Sequence, residues 1–147
     1  MEFQSSYVYL VVPTLAWIVA QGTKYVINSI RTHNFKNTKP LHDSGRMPSG
    51  HGATTVGLAL IVGLLNGFDS PVFAVAALFS GLIMYDAVKV RRVVGEQGTF
   101  IQRIATQIVL KNVQLPRVAE GHKPVEVLVG ALIGAVIAII SYFIVIQ

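Results

Sequence analysis

The 147-residue sequence contains no cysteine, which excludes disulfide cross-links, thiolate nucleophiles and thiolate metal ligands while leaving the compartment open. Charge is scarce as well: Asp, Glu, Lys and Arg make up 13% of the residues, with 7 acidic side chains against 12 basic ones. With 52% of residues hydrophobic and a mean hydropathy of +0.58, that scarcity excludes an ordinary soluble domain. The excess of +5 fits an anionic membrane surface and not nucleic acid. There is no low-complexity tract, fixed-period repeat or interdomain linker, so residues 1–147 read as a single integral membrane domain. The first apolar stretch has no basic leader and no clear small-residue cleavage site, so no signal peptide is read there.

What is present is a series of apolar stretches. Residues 7–30 are long enough to cross a bilayer, which takes about 20 residues, although Gln21 and Lys24 interrupt the end. Residues 50–67 are apolar but rich in small residues, including Gly57 and Gly63, and predict a short span packed inside a bundle. Gly67-Phe68-Asp69-Ser70-Pro71 predicts a turn, with Pro71 opening the next helix. Residues 72–89 return across the membrane and carry Asp86 near their end, for which Lys89 is the simplest ion-pair partner, with Arg91 and Arg92 close by. Over residues 97–114, Phe100, Ile101, Ile104 and Ile108 recur at helical spacing among polar residues, which predicts an amphipathic helix lying in the interface. The last span, 124–146, contains Gly130 and Gly134, a pair that serves either packing within the chain or a homo-oligomer. The fold class is therefore all-α, a polytopic bundle of about four membrane helices plus an interfacial helix.

With this layout all 12 Lys and Arg residues fall on one side of the membrane, whereas the other side carries only Glu2 and Asp69. The positive-inside rule places both long polar loops in the cytoplasm and both termini outside.

Three polar groups come to that same face: Lys24 with Arg31, Arg46-Met47-Pro48-Ser49-Gly50-His51, and Gly121-His122-Lys123-Pro124-Val125-Glu126. A helix entered through Ser49 offers unused backbone N–H groups and the positive end of its dipole, which suits a phosphate. Two histidines at the ends of spans, among fixed cations, supply a nucleophile and an acid to an anion site. Glu126 is also the third residue of a helix opened by Pro124, a favoured capping position, and the two roles are compatible.

These residues resemble the type 2 phosphatidic acid phosphatase superfamily, which also contains vanadium-dependent haloperoxidases, and in particular its small divergent membrane branch. The first motif of the superfamily is Lys, six residues, Arg-Pro; Lys24 and Arg31 keep the spacing and Thr32 replaces the proline. The second stands intact as Pro48-Ser49-Gly50-His51, and the third survives as His122 followed by Glu126. Pro116 stands where the third motif has an arginine, which leaves Arg92, Arg91 or Arg117, in that order, to take its role.

The resemblance implies a metal-independent lipid phosphatase of a bacterial plasma membrane, needing no cofactor, whose substrate is a lipid phosphomonoester or pyrophosphate. It implies that His122 attacks phosphorus to form a phosphohistidine, that Glu126 fixes its tautomer and that His51 protonates the leaving alkoxide. Lys24, Arg31, Arg91 or Arg92, Ser49 and the Gly50 amide would hold the phosphoryl oxygens, with Asp86, Arg46 and Arg117 as supporting groups. The competing expectation is a membrane protein that binds anionic lipid headgroups, or scaffolds a partner, without catalysis.

Overall fold

The computed structural model of the chain describes residues 6–36, 47–107, 118 and 121–146. Among these, all regular structure is helical: α1 (Val8–Thr32), α2 (Gly50–Asn66), α3 (Pro71–Tyr85), a π-helical turn (Asp86–Val90), α4 (Arg91–Gln107) and α5 (Pro124–Val145). The bundle is that of an all-α membrane protein. Val8–Thr32, Pro71–Gln107 and Pro124–Val145 are long and apolar enough to cross a bilayer. The 17 residues of α2 reach only about 25 Å at 1.5 Å per residue, and this short helix sits among α1, α3 and α5.

Small residues let these helices approach closely. A Cβ at Gly130 would collide with the Ser49 carbonyl oxygen, and one at Gly134 with the Ala53 carbonyl oxygen. The Gly130/Gly134 pair thus serves the α2–α5 contact within the chain. Ala16 and Ala20 of α1 pack on Ala53 of α2, and further along Val12, Ile61 and Ala138 are buried together. These pairings make α1 antiparallel to α2 and α2 parallel to α5. α3 packs on α2 and leaves Val72, Val75, Leu78, Phe79 and Leu82 exposed, as lipid-facing side chains are.

The ends of the helices follow local chemistry. α1 stops where His33 adopts a left-handed conformation (φ 50°), its amide bonded to the Ser29 carbonyl. Ser70 accepts from the Phe73 amide (3.2 Å) ahead of Pro71, so the 67–70 turn forms as its sequence predicts. The amphipathic segment is helical as expected, but it does not begin afresh at Gln97. It continues from α3 through the π-turn, because the charges at 89–92 end the apolar run without supplying a proline or cap that would end a helix. Residues 108–114 of the expected helix lie outside the described residues.

Candidate active site

Four chain segments meet at one end of the bundle: the last turns of α1, the start of α2, the π-turn and the start of α5. The first link is between backbones, since the Ser49 amide donates to the Glu126 carbonyl (2.9 Å). The second is the His122 amide donating to the Ala87 carbonyl of the π-turn (3.0 Å). Gly121 makes that docking possible, because a Cβ there would run into the backbone of Arg92.

The result brings His51 and His122 together, with ring centroids 6.2 Å apart and planes at 69°. His122 is 3% exposed, and its Nδ1 lies 3.1 Å from Glu126 Oε2. A carboxylate only accepts, so Nδ1 carries the proton and the Nε2 lone pair is left available. The same Oε2 accepts from the Lys123 amide (3.1 Å), so Glu126 caps α5 and orients the histidine at once. Burial holds the His122 imidazole below its ordinary value of 6.5; the hydrogen bond to Glu126 opposes this, while the nearby charges of Lys24 and Arg91 reinforce it.

Lys24 is 4% exposed, and its charge acts on both imidazoles. It lines a cleft of about 460 Å³ with Asn28, Arg31, Met47 and Glu126, with the exposed Arg31 two helical turns further along α1. At the start of α2, the Ser49 side chain accepts from the Gly52 amide (3.3 Å) and is fully buried. Ser49 is therefore presented as a cap and not as an open hydroxyl, whereas the first-turn amides of Gly50 and His51 have no acceptor inside the helix.

The two arginines diverge. Arg91 Nε bonds Asp86 Oδ2 at 2.7 Å, and its charge reaches both histidines. Arg92 turns outward to Glu96 at 3.0 Å and its side chain is 61% exposed. Asp86 thus pairs with Arg91 and not with Lys89, because the wider π-turn, hydrogen-bonded i to i+5, brings positions 86 and 91 onto one face. Arg46 and Arg117 lie outside the described residues. Among the described residues no three His, Asp or Glu side chains cluster as metal ligands, and the positive charge of the site comes from Lys and Arg.

The Ala87 carbonyl, Gly121 as the docking residue and Asn28 in the cleft were not singled out by motif. Asn28 had a signal, since it lies one turn beyond Lys24 on the same face of an apolar helix. A π-turn leaves no comparable mark in the sequence.

The family model described as "Divergent PAP2 family" matches residues 6–137. An uncharacterized membrane protein, YuiD of Bacillus subtilis (strain 168), is 36% identical over 115 residues, covering 68% of this chain and 73% of the relative. No solved structure matches the chain.

Proposed function

Because the chain belongs to the divergent PAP2 family, and is an integral membrane protein with two histidines meeting near the buried Lys24 and the Arg91 guanidinium, we propose that it is a lipid phosphatase. Its substrate is a lipid bearing a terminal phosphomonoester or pyrophosphate. The observation that carries the reading is the pairing of a Glu126-oriented His122 with His51 across 6.2 Å.

In the first step the Nε2 lone pair of His122 attacks phosphorus, and the bond from phosphorus to the leaving oxygen breaks. His51 gives its proton to that oxygen, so the lipid departs as an alcohol from a phosphomonoester, or as its monophosphate from a pyrophosphate. In the second step His51 takes a proton from water, whose oxygen attacks the phosphohistidine, and inorganic phosphate leaves with His122 restored. Lys24, Arg31 and Arg91, with the amides of Gly50 and His51, hold the phosphoryl oxygens and stabilise the charge that develops on them. Asp86 orients Arg91. The chemistry calls for no metal or cofactor.

The concentration of Lys and Arg in the polar loops supports a site at the cytoplasmic face with both termini outside, a reading that favours substrates made in the inner leaflet. The test is phosphate release by the purified protein from phosphatidic acid, phosphatidylglycerophosphate and prenyl pyrophosphates. Failure on all three, with no binding of vanadate or phosphate, overturns the reading.

Two observations favour the non-catalytic alternative: Ser49 is spent on capping, and Arg91 is already paired with Asp86. A protein that only binds anionic headgroups keeps most of its affinity after His122→Ala and forms no phosphoenzyme in either version.

A further inference from the structure

Where α3 runs into α4, the turn at Asp86–Val90 holds one residue more than a regular α-helix would, and its hydrogen bonds show what that residue changes. In an α-helix the Arg91 amide donates to the Ala87 carbonyl, four residues back. Here it donates to the Asp86 carbonyl, five residues back. The Ala87 carbonyl is thereby relieved of its α-helical donor, and it accepts from the His122 amide instead (3.0 Å). Ala87 is fully buried and His122 nearly so, which makes each the other's replacement for water. The Gly121–His122 backbone lies along this opened side of the helix, against Arg92, where a Cβ on Gly121 would not fit. Single π-turns of this kind are unfavourable on hydrogen-bond geometry alone and recur at functional sites.

We propose that the extra residue positions the nucleophile: by expanding the turn it frees the Ala87 carbonyl to hold the His122 main chain, and it acts through residue count and not through its side chain. The inference rests on the phosphatase reading above, in which His122 attacks phosphorus, and adds what sets that attack. Two anchors then act on His122 in different ways. Ala87 fixes where its backbone lies, and Glu126 fixes how its ring is turned. Removing one residue from the turn separates the first anchor from everything else. Positions five apart become four apart, so α3 and α4 keep their faces and Asp86 still meets Arg91, now at regular helical spacing. The Arg91 amide keeps the Asp86 carbonyl as its acceptor, and the Arg92 amide takes the Ala87 carbonyl. The helix gains a regular ladder, and the buried His122 amide loses its acceptor.

The test is deletion of Lys89, an exposed residue of the turn, from the full-length protein, beside Lys89→Ala, which changes the side chain and keeps the count. The deletion should lower kcat on a lipid phosphate about 10²-fold, as a displacement near 1 Å does, while affinity for inorganic phosphate and melting temperature are kept. Lys89→Ala should stay near the wild-type kcat. Amide exchange in protein labelled with ¹⁵N-histidine reads the anchor itself: the His122 N–H should be protected in wild type and in Lys89→Ala, and should exchange at least about tenfold faster in the deletion. Unchanged kcat or unchanged exchange in the deletion overturns the proposal. So does an equal loss in Lys89→Ala, or a fall in melting temperature and phosphate affinity together with kcat, which would make the turn structural only. Loss of His122 protection in the deletion of a protein whose wild type releases no phosphate would keep the anchor and overturn the phosphatase reading alone.

Discussion

His51 and His122 stand edge to face with ring centroids 6.2 Å apart, although they begin different helical segments far apart in the chain. Neither reaches that position by itself. His51 is set by the start of α2, which α5 accommodates through Gly130, and His122 is set by the π-turn, which Gly121 lets it touch. The site is thus a product of helix packing at one end of the bundle, and packing changes should be felt as chemistry.

The two histidines should separate by substrate. If His51 protonates the leaving oxygen, His51→Asn should lower kcat on a lipid alcohol ester about 10²- to 10⁴-fold, the usual range for an acid–base group. On p-nitrophenyl phosphate, whose leaving group needs no proton, the loss in kcat/KM, which reports only formation of the phosphoenzyme, should be much smaller than on the lipid, while His122→Ala should abolish turnover of both. Initial rates on the two substrates decide this.

Glu126 makes an opposite prediction for pH. Activity needs neutral His122, whose proton affinity burial has lowered, so the acid limb of kcat/KM should lie below pH 6.5. Both the hydrogen bond and the charge of Glu126 raise that affinity, so Glu126→Gln should move the limb to still lower pH while reducing kcat at least about tenfold through loss of orientation. The stability sign agrees: His122 contributes fully above pH 6.5, and its contribution falls as pH drops through the lowered value. Rate profiles and melting curves across this range check both signs.

Gly130→Ala should destabilise the bundle by about 1–3 kcal/mol, because the added methyl meets the Ser49 carbonyl oxygen and backbone cannot swing aside as a side chain can. Gly81→Ala on α3 adds its methyl to open space and should be neutral or stabilising by up to about 1 kcal/mol. Unfolding of the two variants in the same detergent gives the comparison.

Gly121→Ala isolates positioning from stability. Its methyl collides with the Arg92 backbone and should lift His122 off the π-turn, costing about 10²-fold in turnover for a displacement near 1 Å, with KM and melting temperature much less affected. A parallel fall in melting temperature and rate would assign Gly121 a structural part only.

Much of this was legible in the residues themselves. Apolar length and glycine spacing mark the four apolar helices, including the short α2, Ser70-Pro71 and Pro124 mark two helix starts, and the spacing of Lys24 and Arg31 puts both on one face of α1. His51, His122 and Glu126 were legible as a set because local motifs fix each one at a helix end. The partner of Asp86 was not, since regular α-helical spacing points to Lys89 and only the π-turn brings Arg91 alongside. The outward turn of Arg92 was equally hidden, because adjacent arginines differ only in which carboxylate their helix phase presents. The join between α3 and α4 was obscured for a further reason: hydropathy reports where the bilayer ends and not where the helix does.

The central claim is that His122 is the nucleophile, and the most direct measurement is rapid acid-free quenching of the purified protein during turnover of ³²P-labelled lipid, followed by peptide mapping. The account predicts an acid-labile, base-stable phosphate on His122, absent from His122→Ala. Phosphate release without any phosphoenzyme, or label on another residue with His122→Ala still active, would contradict it.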